Sequence, residues 1–451
     1  MNLEPLLDSP LDDTLKGLPP GTRGLKLRDV GQQAWNVLAQ DLPLPLALLR
    51  KSALDHNDRW MREYLGTWRA SLAPHGKTTM CPQLFAQQLA GGAWGITLAT
   101  LQQVLVARRF GVPRIVLANQ LVGPAAVQAI GRLQLEDPTF EFYCLVDSAA
   151  GVRELAAGVE RWKQLPPAAH TDPHPGPLPT GERGNNRLQV LLEIGAKGGR
   201  TGCRTVAEAL ELAEQIAATP GLALRGVEGF EGLLAADTPA AMLDAVRAFL
   251  DRMVEVAGEC DRRGFFAPGE VLLSAGGSNY YDLCVERLSL AKLSRPTRIV
   301  VRSGCYLTQD SQLYRQAHER LHERSPRARE LGPGLQNALE VWSYVQSRPE
   351  PTRAVLAFGR RDAGFDCGLP QPLLWHRPGR PGLPQPLPAG HVLAGLNDQH
   401  ALLDLPADSP LAVGDMVACG ISHPCTTFDK WQFLPVVDDE YRVVGGVRTF
   451  F

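Results

Sequence analysis

The stretch WRASLAPHGKTTMCPQLFAQQLAGGAWGIT, residues 68–97, decides the fold. It holds two β-rich runs, 68–74 and 95–97, and the first breaks at its end into Pro74, His75, Gly76 and Lys77. The pattern then repeats: runs 114–118, 140–146, 188–194, 223–229, 271–275 and 298–302 also read as strands. Between them, segments such as 98–110, 149–162, 206–218, 239–262 and 280–287 read as helices. This alternation predicts parallel strands joined by crossover helices. Eight such strands match an α/β fold of the (β/α)8 barrel type, whose active site sits at the C-terminal ends of its strands. An open doubly wound sheet competes with it, but no GxGxxG turn follows the first strand.

After about residue 303 the helical alternation stops. Runs 353–358, 416–421 and 441–447, separated by Pro and Gly, predict a C-terminal mostly β domain. The expected organisation is an N-terminal segment 1–55, a barrel 56–303 and a β domain 304–451. The first segment is rich in Leu and Pro, and periodicity leaves open whether it packs on the β domain. Two stretches look inserted. Residues 166–187, PPAAHTDPHPGPLPTGERGNNR, have too little apolar content to pack and are expected to form a flexible surface loop. The hexapeptide GLPQPL occurs at 368–373 and again at 382–387, which predicts a Pro-rich loop with a local duplication.

With 451 residues, 44% of them hydrophobic, the chain can bury a large core. A formal net charge of -2 offers no basic excess for a nucleic acid and no polybasic tail for a membrane, so a small molecule is the expected partner. The start, MNLEPLLDSPLDDTLKG, has acidic residues and Pro where a signal peptide needs a basic end and an apolar run. Nine cysteines without a CxxC pair fit a reduced compartment, and a cytoplasmic protein is expected.

Four motifs can carry chemistry. In APHGKTTM, Lys77 stands at a barrel strand's end beside His75, where a partly desolvated amine can form a Schiff base. In LEIGAKGGRTGCR, Gly198 and Gly199 let the backbone bend closely around a ligand, and Arg200 offers a fork for a phenolate or carboxylate. In LLSAGGSNYYDL, Gly276, Gly277 and Ser278 lie between the seventh strand and a helix, the place where barrels bind phosphate. In GISHPCTTF, His423 and Cys425 are two residues apart, so on an extended strand they share a face and suit a soft ion such as zinc. Two protein ligands make an open site. Each motif alone also reads blandly, as a solvated lysine, a rim ion pair, a plain glycine turn, and a core histidine beside a buried cysteine.

Together, and in this order, these residues resemble the D-serine dehydratase and D-threonine aldolase family over roughly 68–451. The resemblance implies an alanine-racemase-like barrel and a β domain, with pyridoxal phosphate bound to Lys77. It places Arg200 near the cofactor's phenolic oxygen, Gly276, Gly277 and Ser278 at its phosphate, and His75 and Tyr306 of RSGCYLTQD as further contacts. It also makes His423 and Cys425 the metal pair. In the dehydratases that pair is His and Cys, so the resemblance points to D-serine dehydration to pyruvate and ammonia, with zinc or another divalent metal. Retro-aldol cleavage of D-threonine, racemisation with Tyr306 as a second base, and a non-catalytic cofactor carrier are the other readings. A homodimer is implied as well. The sequence departs from many relatives at Phe230 of GVEGFEG, where they carry a tyrosine.

Overall fold

The computed structural model describes residues 1–162 and 187–451. The expected insertion at 166–187, apart from Arg187, lies outside the described residues. The chain divides into two compact units. One comprises Leu65–His75 and Ala93–Ser303; the other comprises Met1–Tyr64, Gly76–Gly92 and Gly304–Phe451. These boundaries differ from the expected ones: 56–64 and 76–92 group with the C-terminal residues rather than with the barrel strands.

The first unit carries eight parallel strands: β1 (Ser71–Leu72), β2 (Ile96–Leu98), β3 (Arg114–Gln120), β4 (Glu141–Val146), β5 (Leu188–Ile194), β6 (Leu222–Gly229), β7 (Val271–Ala275) and β8 (Thr297–Val301). From β2 to β8 each pairs with the next in chain order, and β8 pairs back onto β1. The ring closes through a parallel bridge between His75 and Thr97, where the Thr97 N–H donates to the Pro74 carbonyl at 2.9 Å. The α/β barrel is therefore the fold. Its strands are apolar runs because parallel strands are buried on both faces; β5, LQVLLEI, has six of its seven residues buried.

Helices Ala149–Trp162, Val206–Ala218 and Pro239–Arg262 keep the expected bounds. Thr205 opens the second with a reciprocal capping box to Glu208, and Thr238 caps the third ahead of Pro239 at its first position. The first strand is shorter than expected, because residues 68–70 close the end of helix Lys51–Thr67, the Trp68 N–H returning to the Leu65 carbonyl.

The other unit is built on an antiparallel sheet. Strand Leu339–Glu350 pairs with Arg353–Leu356, with Met416–Gly420 and with the N-terminal strand Leu46–Arg50. Leu46–Arg50 also pairs in parallel with Phe433–Val437, so it is an interior strand of that sheet. The duplicated Pro-rich region is not the expected loop. Gln371–His376 is a strand against Met416–Gly420, and it folds back on Gln385–Pro386 with Leu374 opposite Pro386 and Trp375 opposite Gln385. Among the described residues no helix is long and apolar enough to cross a membrane.

Candidate active site

In the barrel unit, alternation along the strands sorts the interior into layers. Ala73, Val116, Leu145, Leu191, Leu272 and Val300, each from or next to a different strand, pack as one apolar cluster. Two residues further along, side chains face the same way again, and there the chain changes character to His75, Asp147, Glu193, Ser274 and Arg302. Glu228 joins them, since it lies in register with Ser274. The apolar plug thus ends in a polar layer at the C-terminal mouth, where barrels hold their ligands.

Glu228 and Arg302 form an ion pair that is nearly closed to solvent, with side-chain exposures of 1% and 5%. Arg302 also donates to the Gly229 carbonyl at 2.7 Å. Burial outweighs the attraction of Arg302 and pushes the Glu228 carboxyl up to about 8. One carboxylate oxygen, Oε2, and the Arg302 Nε have no hydrogen-bond partner although buried. Unsatisfied buried polar atoms are rare in folded proteins and mark a place where a bound group can complete the bonding.

Two loops rise above this layer. After β5, Glu193 accepts from Thr201 at 2.6 Å and from Gln120, and the Gly202 N–H donates to Asp147 at 3.0 Å. Gly202 has a φ of +93°, and a Cβ there would lie 2.3 Å from the Gly195 nitrogen, so only glycine closes this turn. Arg200 is exposed and makes no ion pair among the described residues. Its guanidinium lies 5.2 Å from the Phe230 ring, a cation–π contact for which the phenyl group suffices without the hydroxyl of a tyrosine.

After β7, Gly276 and Gly277 point their N–H groups at the Glu231 carboxylate, at 3.1 and 2.9 Å. The two donors expected to face a phosphate are therefore already engaged. Ser278, the next residue, is half-buried and has no such partner.

In the other unit, Lys77 sits on the short 3-10 turn Gly76–Thr78, half-buried and without an ion pair among the described residues. The hydroxyl of its neighbour Thr78 lies 3.4 Å from the Cys425 sulfur. Cys425 opens the short helix Cys425–Phe428, not the expected strand, because the chain turns at Pro424, whose ring sets the φ of -59° that begins a helix. Its thiol stands 3.9 Å from that of Cys305. Hydrogen bonds from Cys305 and His423 hold the Cys425 thiol well below its usual range.

His423 is hydrogen-bonded to Cys425 and donates through Nδ1 to the Asp366 carboxylate at 2.7 Å, and these contacts raise it to about 9 despite burial. The Cys367 sulfur lies 3.6 Å from the same nitrogen, so Asp366, Cys367 and His423 form a donor cluster within 4.8 Å. Sulfur, imidazole and an orienting carboxylate suit zinc. Within each unit the residues suit a group that the family resemblance implies: in the barrel unit, buried polar atoms of Glu228 and Arg302 that lack a partner among the described residues; in the other unit, a lysine with no ion pair among the described residues and this donor set for a metal.

Tyr306 is fully buried. Its hydroxyl donates to Asp58 and accepts from Gln88, both at 3.2 Å, and burial drives it far above the usual tyrosine range. Sequence reasoning missed Glu228, Arg302, Glu231 and Asp366. The first two carried a signal, a charged residue two positions beyond the apolar face of a strand.

The chain matches the family model "Alanine racemase, N-terminal domain" over residues 49–281 and the model "Putative serine dehydratase domain" over residues 338–437. It is 24% identical to a D-threonine aldolase of an Arthrobacter species over 407 residues, 88% of this chain and 89% of that protein. The fold is similar to that of D-threonine aldolase from Filomicrobium marinum, with a TM-score of 0.70 and 19% identity over 91% of this chain and 95% of that one. It is also similar to D-threo-3-hydroxyaspartate dehydratase from Delftia sp. HT23, with a TM-score of 0.65 and 20% identity over 92% and 99%. A variant of D-threo-3-hydroxyaspartate dehydratase has been solved in a metal-free form. With its alanine-racemase-type barrel followed by a serine dehydratase domain, the chain belongs to the D-serine dehydratase and D-threonine aldolase family, whose members are pyridoxal-phosphate-dependent lyases acting on D-amino acids.

Proposed function

We propose that the protein dehydrates D-serine to pyruvate and ammonia, with pyridoxal phosphate carried on Lys77 and zinc held by His423 and Cys425. The observation that carries this reading is the 3.4 Å contact between Thr78, next in chain to Lys77, and the Cys425 sulfur. It sets the Lys77 amine, without an ion pair among the described residues, one residue away from a sulfur that neighbours a histidine and a carboxylate. When bound, pyridoxal phosphate supplies an electron sink at Cα, and zinc supplies a Lewis acid for the β-oxygen.

The chain's own residues do the rest. Lys77, half-buried on the turn Gly76–Thr78, takes the proton from Cα. Asp366 fixes the His423 ring through Nδ1, which leaves Nε2 to face the metal. Arg200, held over Phe230, would take the phenolic oxygen, and Ser278 the phosphate. The Cα proton and the β-hydroxyl leave together as water, and hydrolysis of the free enamine gives the 2-oxo acid and ammonia.

Retro-aldol cleavage is the second reading, supported by the similar proteins named D-threonine aldolase. It needs a base at the β-hydroxyl rather than at Cα. Cys425 favours dehydration, because in this family a Cys in the metal pair goes with the dehydratases. Racemisation is disfavoured, since Tyr306 is committed to Asp58 and Gln88. A homodimer acting on a small D-amino acid completes the proposal.

Chelation tests it. Removing the metal should abolish ammonia release from D-serine while β-chloro-D-alanine, whose leaving group departs unaided, keeps most of its turnover. Equal loss with both substrates would make the metal structural and the reading wrong.

A further inference from the structure

The GFEG segment after β6 holds a residue with a defined task. Glu231 is fully buried, with 0% exposure, although it lies in a short turn between two loops of the barrel mouth. Its carboxylate takes the N–H of Gly276 on one oxygen and the N–H of Gly277 on the other. The Cys284 thiol, on helix Tyr281–Leu288, is hydrogen-bonded to it as well. From the other side, the Arg302 N–H donates to the Gly276 carbonyl at 3.0 Å, and the Ser303 hydroxyl donates to the Gly277 carbonyl at 2.6 Å. All four backbone polar groups of the Gly276–Gly277 pair are thus fixed by protein atoms. Both residues must be glycine: Gly276 has a φ of +93°, and a Cβ on Gly277 would lie 2.7 Å from the Phe230 ring. Phe230 precedes Glu231, so the same segment supplies the carboxylate and the wall against which the turn rests.

We infer that Glu231 is a positioning residue for the cofactor's phosphate: it binds no part of the cofactor but locks the turn so that Ser278 meets the phosphate preorganised. The inference rests on the reading that this turn receives a phosphate. A flexible glycine pair would have to be ordered when the anion arrives, at an entropic cost that weakens binding. Glu231 removes that cost in advance. Two N–H groups also need two acceptors. Glutamine in place of Glu231 has a single acceptor oxygen, and its amide would set a donor against one of the glycine donors.

The test compares two ligands that differ only in the phosphate. The full-length chain, stripped of cofactor, is titrated with pyridoxal phosphate and with pyridoxal, and the visible absorbance of the lysine-bound form is read. Glu231→Gln should weaken pyridoxal phosphate roughly 10- to 100-fold, the scale of lost hydrogen bonds to a charged group, and leave pyridoxal within about twofold. Unchanged pyridoxal binding also shows that the variant is folded. Glu231→Asp, which keeps the charge but is one methylene too short to reach both N–H groups, should fall between. An equal loss for both ligands would make Glu231 a general scaffold residue and overturn the inference. So would no loss, or tighter binding, with pyridoxal phosphate. Ser278→Asp, measured in parallel, separates the two levels. If placing a charge at Ser278 leaves the preference for the phosphorylated ligand intact, the turn does not receive the phosphate and the underlying reading fails with it.

Discussion

Replacing Glu228 with glutamine should change how the stability of the barrel responds to pH. In the folded protein the carboxyl is raised to about 8 because burial disfavours its charge more than Arg302 favours it. In the unfolded chain it returns to about 4.3. Between those two values the native state keeps a proton that the unfolded state has released, so stability attributable to Glu228 is present at pH 4 and is lost as pH rises toward 8. The slope is at most about 1.4 kcal/mol per pH unit, and the whole window amounts to roughly 3–5 kcal/mol. Glutamine keeps the shape and the hydrogen bond to Arg302 but cannot ionise. Relative to the parent, Glu228→Gln should therefore be close to neutral near pH 5 and become stabilising as pH rises to 8. For a unit of this size 1 kcal/mol moves the melting temperature by about 2–4 °C, so the difference between the two proteins should open by roughly 10 °C across that range. Differential scanning of both proteins, without cofactor and in matched buffers, measures it. Melting curves that stay parallel from pH 5 to pH 8 would show that Glu228 titrates normally, and the argument from burial would be wrong.

Two further outcomes follow from the site. Lys77→Ala should lose at least about 1,000-fold in turnover, the scale of a removed proton-transfer group, and borohydride should no longer fix the cofactor to the chain; a label retained in that variant would place the attachment elsewhere. Asp366→Asn should weaken zinc binding about 10- to 100-fold, because the carboxylate that orients His423 is gone. Equilibrium dialysis against a chromophoric chelator reads this directly, and unchanged affinity would deny Asp366 that role.

The barrel was legible because its physics is local. A strand such as β5 announces itself as an apolar run between turns, and a helix such as Val206–Ala218 by its cap and its period. What stayed hidden depends on contacts distant in the chain. Asp366 is 57 residues from His423, and nothing near either residue signals that they meet. Glu231, an acid next to a glycine, reads as a surface turn; only its pairing with Gly276 and Gly277, 45 and 46 residues away, shows it to be buried. The duplicated GLPQPL misled for a different reason. Proline is disfavoured in strands, but at a sheet edge its missing N–H costs nothing, and Pro386 occupies such a place opposite Leu374.

Incubation with D-threonine, followed by analysis of every carbon fragment, tests the central claim most directly, because this substrate allows both bond cleavages. Dehydration predicts 2-oxobutyrate and ammonia in equal amounts, with no glycine. Glycine and acetaldehyde in place of them would contradict the account and make the protein an aldolase.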